Sequence, residues 1–306
     1  MTLESLIPSK ARTRIAALTF AAVVIPLPAA ADPFVFSTGN PDGLIATATR
    51  PSSPGKFEIE SGDDFALTQQ TLLTGAAFTG LIPSGASTSD IKNVVVEIYA
   101  VFPANSDVGR TSGPPTFSTS QVPTRVNSPS DVEIDDRNSS GGSLKFTSIV
   151  LQSTFTAANS VQPGGIHPLP NIFTGGNGPV TGQETQITVS FTTPFDLLAG
   201  QYFFVPQVEL SNGDFLWLSA PRPIVPPGTP FPPGFTDLQS WTRDAMLEPD
   251  WLRVGTDITH QGPFNATFVL NGVTVPGPIA GAGLPGLILA CGALLALARR
   301  RRQLVA

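Results

Sequence analysis

The stretch from Asp32 to Thr274 predicts an all-β fold, a β-sandwich in one domain for which a jelly roll is the candidate arrangement. Three observations carry that expectation. Apolar residues recur at every second position in several segments, the period of a half-buried strand. The chain holds 29 glycines and 31 prolines in 306 residues, a composition that favours many short strands joined by turns. No part of this stretch reads as a convincing soluble helix, which leaves sheet-on-sheet packing as the way to bury its apolar faces.

Taken in order, the first strand candidates are residues 34–37, 44–49, 57–60 and 71–78, each a short β-rich run between turn formers. Residues 94–102 are almost continuously β-branched and aromatic, as a central strand requires. Residues 144–155 and 186–191 follow, and Ile187, Val189 and Phe191 share one face of the second. Residues 202–210 and 215–219 are separated by Ser211-Asn212-Gly213-Asp214, whose Asn-Gly reads as a hairpin turn. Phe264, Ala266, Phe268 and Leu270 alternate with polar neighbours in the last strand. Between these lie residues 103–142, rich in Ser, Thr, Pro, Asn and Asp and without periodicity, which read as one long loop. Residues 221–233 carry seven prolines in 13 positions and read as a stiff, polyproline-like crossing. A short helical turn is expected over 238–246, and no repeat of fixed period is present.

Charge narrows the partners. Of 17 basic residues, three (Lys10, Arg12, Arg14) precede residue 32 and four (Arg299, Arg300, Arg301, Arg302) follow residue 274. The ten that remain between face 22 acidic residues, a net of -12 that argues against nucleic acid or anionic lipid as a ligand of this region. The only cysteine, Cys291, lies outside it, so the region has no disulfide.

The two ends read as targeting segments. Residues 1–31 have the three parts of a signal peptide: a basic start, an apolar run over 15–27, and small residues at Ala29 and Ala31 before Asp32, the expected new N-terminus. The run is too short to span a bilayer and is broken by Pro26 and Pro28. At the other end, residues 279–298 are free of charge, long enough at ~1.5 Å per residue to cross the hydrocarbon core, and expected as a transmembrane helix. The arginine cluster Arg299 to Arg302 follows at once and resists translocation, which places the domain on the outer side of the membrane.

Val275-Pro276-Gly277-Pro278, the apolar run and the arginine cluster together resemble the C-terminal sorting signals of the PEP-CTERM and VPxxP-type families. The resemblance covers residues 275–306, and Gly277 stands where the commonest form has glutamate between two prolines. It implies that Val275, Pro276 and Pro278 form a recognition signature for an exosortase, an integral-membrane protease or transpeptidase of Gram-negative bacteria that make exopolysaccharide. It also implies that Arg299 to Arg302 act as the retention signal. The partners expected are therefore the general secretion machinery, an exosortase, membrane lipid along the tail, and polysaccharide as a possible ligand class. The domain would face the periplasm, then the cell surface or extracellular matrix.

Chemistry-bearing patterns are sparse. The two histidines, His167 and His260, fall in unrelated turns, and no His-x-x-x-His, paired cysteine or Gly-x-Ser-x-Gly occurs, so zinc hydrolysis and serine nucleophiles lack their parts. No catalytic activity and no cofactor are expected; a glycan hydrolase would need two carboxylates facing across a cleft. Asp131, Glu133, Asp135 and Asp136 are the weak calcium candidates, and Gly62-Asp63-Asp64-Phe65 a second metal corner, each weighed against a plain acidic surface. Trp217, Trp241 and Trp251, with Tyr202, are the candidate sugar-facing aromatics of an envelope carbohydrate-binding module, the alternative to a surface or matrix protein. Arg222, Arg243 and Arg253 nearby would pair Asp244 and Asp250 or grip an acidic polysaccharide.

Overall fold

The structure, a computed structural model, describes residues 31–106, 121–167, 172–276, 291–297 and 300. Ala31–Gly277 forms one compact unit. Two sheets packed face to face make it mainly β and sandwich-like. The larger sheet has nine strands: β1 (Pro33–Ser37), β2 (Ile45–Ala48), β4 (Thr71–Pro83), β7 (Leu144–Ala157), β8 (Asn159–Val161), β9 (Val180–Leu197), β11 (Leu216–Ala220), β14 (Asn265–Ala266) and β15 (Phe268–Thr274). Their order is β1-β15-β4-β11-β2-β8, with β9 on β4, β7 on β9 and β14 on β11. The smaller sheet runs β13-β12-β3-β10-β5-β6, from β3 (Ile59–Leu67), β5 (Ile91–Ala100), β6 (Asp135–Asn138), β10 (Gly200–Leu210), β12 (Trp241–Asp244) and β13 (Leu252–Arg253). Pairing is antiparallel throughout except for β2 with β8.

Side-chain alternation explains the layers. In β9, Ile187, Val189 and Phe191 turn into the space between the sheets, as Phe65 of β3, Phe204 and Val208 of β10 and Val94, Val96 and Ile98 of β5 do from the other side. Aromatic rings fill its centre: Phe204 stacks on Phe268 at 5.1 Å and Phe78 meets Phe215 edge-on at 5.9 Å. A second cluster, around Ile45, Ile59, Leu216, Leu218, Leu252 and Ile258, closes one end. A third lies on the outer face of the smaller sheet, where Tyr99, Phe203, Val205, Leu238, Trp241 and Trp251 are buried.

That outer face is covered by part of the stretch 103–142, expected as one long loop. Within 103–142, residues 121–134 run back over the sheet: Phe102 N–H donates to Ser128 O and Ser130 N–H to Ala100 O, each at 2.9 Å. The same stretch then supplies β6, which pairs with β5. The expected helical turn over 238–246 is instead strand β12 followed by a turn, because Trp241 and Arg243 share the outer face and Thr242 the inner one. The expected hairpin is also corrected. β10 belongs to the smaller sheet and β11 to the larger, so Ser211–Asp214 arches between layers. Leu210 and Phe215 both bury in the interlayer core, which a flat hairpin would not allow. Asp214 is held there by Arg50 and by Lys56 at 3.1 Å, and Gly213 takes the φ of +71° that the arch requires.

At the edge of the larger sheet, β1 and β15 pair from Pro33 with Val273 to Ser37 with Val269. Asp32 N–H donates to Thr274 Oγ1 at 3.1 Å, and Thr274 N–H returns to Asp32 O at 2.9 Å. Past residue 276, residues 291–297 are helical with exposed side chains. Among the described residues no helix is long and apolar enough to cross a membrane. Residues 1–30 of the expected leader, most of the expected span 279–298, and Gly277, Pro278, Arg299, Arg301 and Arg302 lie outside the described residues.

Candidate functional site

The three tryptophans are not a sugar platform: all are buried, with at most 1% of each exposed. Trp217 points between the sheets, against Phe204 and Phe268, and its indole N–H donates to Thr267 O at 2.8 Å. Trp251 donates to Ser130 O at 3.1 Å and meets Tyr99 edge-on at 5.4 Å. Trp241 packs beside it in the outer cluster. Their hydrophobic area outweighs any gain from leaving a ring in water, so they anchor layers.

The arginines choose other partners than Asp244 and Asp250. Arg243, from β12, forks onto Glu60 of β3, with Nη2 to Oε1 at 3.0 Å and a shorter Nε contact to Oε2. The β12–β3 register sets the two opposite each other. Tyr99 O–H donates to the same Glu60 carboxylate, and the guanidinium lies 4.4 Å over the Trp251 ring. Burial tends to lower the Arg243 guanidinium, and Glu60 and Tyr99 more than offset it, so the cation is fixed. Burial, Glu60 and Glu97 raise the Tyr99 hydroxyl, which stays protonated. Glu97, two residues before Tyr99 on β5, has its carboxyl raised well above the ordinary range, first by burial and then by Glu60 and Glu58. A second cage holds the covering loop: Arg125 reaches Asp131 at 2.8 Å and Asp250 at 3.3 Å, and stacks 4.3 Å over Phe102.

These pairings scatter the weak calcium candidates. Asp131 is buried on Arg125, Asp135 is paired with Arg137 at 2.7 Å, and Glu133 and Asp136 are exposed. Among the described residues no group of three or more His, Cys, Asp or Glu side chains is placed to hold a metal ion.

What the fold does bring together is the pair of histidines. After β13, residues 254–258 form a wide helical turn, and the chain doubles back so that Gly255 O accepts Gln261 N–H at 2.8 Å and Gly262 N–H at 3.1 Å. A Cβ on Gly255 would lie 1.9 Å from Gly262 O, so only glycine permits that closure. Gly175 N–H donates to Ile258 O at 3.0 Å, and Asn159 Nδ2 bridges Gly175 O at 2.8 Å and Gln261 Oε1 at 2.9 Å. This stitching draws the 172–178 segment against the turn. Phe173, 48% exposed, then stands edge-on to His260 at 4.5 Å. The result is a cleft of about 310 Å³ walled by Phe173, His260, His167, Thr256 and the Arg253–Asp257 pair. Arg253 donates to Asp257 through Nε at 3.0 Å and Nη2 at 2.6 Å. Both ring nitrogens of His167 are buried without a hydrogen-bond partner. Such a wall offers an aromatic edge and a fixed ion pair, the complement of a small polyhydroxylated ligand.

Sequence spacing could not find this cleft, because its walls come from segments far apart in the chain that only the Gly255 closure unites. The cleft carries a single carboxylate, Asp257, on its walls, and not the facing pair a glycosidase needs.

Neither a known protein family, nor a curated protein, nor a solved structure matches this chain.

Proposed function

We propose that this chain is an exported surface or extracellular-matrix protein, without catalytic activity, held in the inner membrane by its C-terminal helix and read there by an exosortase. The observation that carries the reading is the order of the tail: Val275-Pro276-Gly277-Pro278, a charge-free run over 279–298, then Arg299 to Arg302. The signal-peptide pattern ending at Ala31 agrees with it. The domain's ends agree with it, since β1 starts at Pro33 and β15 stops at Thr274, so the paired strands fall between the two expected processing points. A protease needs extended, unpaired backbone, and Pro276 and Pro278 keep such a segment out of helix and sheet.

The test is the intact mass of the protein recovered from strains with and without the exosortase. The expected result is an N-terminus at Asp32 in both, and loss of the tail from near residue 278 only where the exosortase is present. An unprocessed chain in both strains, or a cytoplasmic one, would refute the proposal.

A second reading, an envelope carbohydrate-binding module, is favoured by one observation, the cleft of Phe173, His260 and His167. Binding there would be lost on Phe173→Ala in a polysaccharide pull-down; retention unchanged by that substitution would reject the cleft.

A further inference from the structure

The larger sheet ends on one side in a long open edge. Among the described residues β7 pairs with β9 and with no other strand, so along its 14 residues one row of backbone N–H and C=O groups faces outward. A half-buried strand alternates buried and exposed positions, and β7 begins that way, with Leu144 in the core and Phe146 packed against it. From Ile149 to Thr154 every residue is exposed, so both faces of the strand stand open there. Ile149 is 55%, Val150 43% and Leu151 45% exposed.

Sheet edges are commonly blunted by shortness, charge or proline, and the other edges of this domain are. β1 has five residues and opens on Pro33, β8 has three, β13 has two, and β6 reads Asp-Asp-Arg-Asn. Residues 146–157 of β7 carry neither charge nor proline. Register shifts between Val150 and Gln152 and between Gln152 and Phe155 bend the far half of the strand. Residues 144–150 stay paired with β9 residue for residue, which leaves a regular stretch at the open edge.

We infer that β7 is a self-association edge: a second copy of this chain lays its own residues 144–150 antiparallel to it about a two-fold axis. Charge selects that occupant. Residues 32–274 carry a net of -12, so two copies repel over most of their surface. They approach best along this edge, where Lys145 is the only ionised residue of β7. An isologous pair needs a segment complementary to itself. An axis at Thr147 uses the whole regular stretch: Thr147 meets its own copy, Phe146 meets Ser148, Lys145 meets Ile149 and Leu144 meets Val150. No like charges then stand opposite each other, and Ile149 receives the aliphatic stem of Lys145. Seven facing pairs supply roughly six to eight main-chain hydrogen bonds. The remaining edges are too short to repeat the contact, so association closes at a dimer. The inference does not rest on the tail.

Sedimentation equilibrium of the full-length chain in detergent micelles, over a range of protein concentrations, tests this. A monomer–dimer equilibrium is expected, with a Kd of roughly 1–100 µM, as suits an interface at the small end of the range. Ile149→Lys sets two lysines opposite each other at both ends of the ladder and weakens the dimer at least about tenfold. Its side chain is exposed, so the thermal midpoint of the monomer stays where it was. Adding Lys145→Glu to Ile149→Lys restores opposite charges across the axis and returns the dimer to within about threefold of the original Kd. Val35→Lys, equally exposed but on β1, leaves the dimer unchanged. A chain that stays monomeric at every concentration overturns the inference. So does a dimer that survives Ile149→Lys, which would place the contact in the tail or elsewhere on the domain. Loss of the dimer in Val35→Lys, or a double variant that remains monomeric, overturns it as well, because positions 145 and 149 would then not face each other.

Discussion

Replacing Arg243 with methionine isolates what the buried cage on the outer face contributes. Arg243 is 2% exposed and Glu60 5% exposed, so the substitution leaves a carboxylate in the interior with only the Tyr99 hydroxyl to answer it. Removing one partner of a buried pair costs about 3–5 kcal/mol, chiefly because the other charge stays behind. The guanidinium also gives up its place over the Trp251 ring, worth roughly 0.5–2 kcal/mol, and its bond to Asp131 O at 3.0 Å, which ties down the covering loop. For a domain of this size each kcal/mol moves the melting midpoint by roughly 2–4 °C, so a fall of roughly 7–28 °C is expected. The second variant, Arg243→Met with Glu60→Gln, removes the stranded charge while keeping an acceptor for Tyr99, and should recover more than half of the loss. Urea unfolding followed by tryptophan fluorescence measures both, since Trp241 and Trp251 adjoin the cage. Equal losses in the single and double variants would show that packing, and not the orphaned carboxylate, sets the cost.

Two further outcomes follow from the same sheets. The raised carboxyl of Glu97, with Asp63 and Asp64 raised alongside, keeps its proton in the folded chain to higher pH than in the unfolded one. That stabilisation is full below the unfolded values, 4.5 for Glu97 and 3.8 for the two aspartates, and is lost as pH rises through the raised folded values, so the melting midpoint should climb as pH falls towards 4.5. Glu97→Gln, which leaves Glu60, Glu58, Glu133, Tyr99 and Arg243 around it, should flatten part of that slope; an unchanged slope would remove Glu97 as its source. At the crossing of β4 and β11, a Cβ on Gly80 would come within 2.3 Å of the Phe215 ring and 2.6 Å of Leu216 O. Gly80→Ala should therefore cost about 1–3 kcal/mol in urea unfolding, and a neutral result would mean that the strands separate freely there.

Much of the sandwich is readable before folding because its strands are half-buried. Ile187, Val189 and Phe191 announce one face of β9, and residues 144–155 anticipate β7 within two positions of Ala157. What resists reading has a physical cause in each case. Asn212-Gly213 favours a tight reversal whichever sheet receives the next strand, and only the joint burial of Leu210 and Phe215 sends β11 to the other layer. β6 is Asp-Asp-Arg-Asn, a polar edge strand with no apolar alternation, held by backbone pairing to β5 and by Arg137 against Phe195 at 4.2 Å. β12 mixes Trp241 and Arg243 on one face because that face is covered by another loop, so its alternation is not apolar against polar. The tryptophans mislead for a related reason: an aromatic beside arginine and acids reads as a binding surface, whereas here the charges are buried with it. The histidine cleft depends on Gly255 passing against Gly262, a backbone contact that no residue pattern encodes.

The tie between Asp32 and Thr274 fixes how the sandwich answers tension. Force drawn apart at those two residues acts on the last rung of the β1–β15 ladder, whose partners run from there inward to Ser37 and Val269. Such a load opens rungs one after another, as a zipper parts, and never strains all of them together. Traction on Val275 against the body of the domain instead slides β15 lengthwise past β4, where the rungs from Phe268 to Thr274 bear it at once. Peeling and sliding are thus two mechanical regimes of one strand, selected by where the pull is applied.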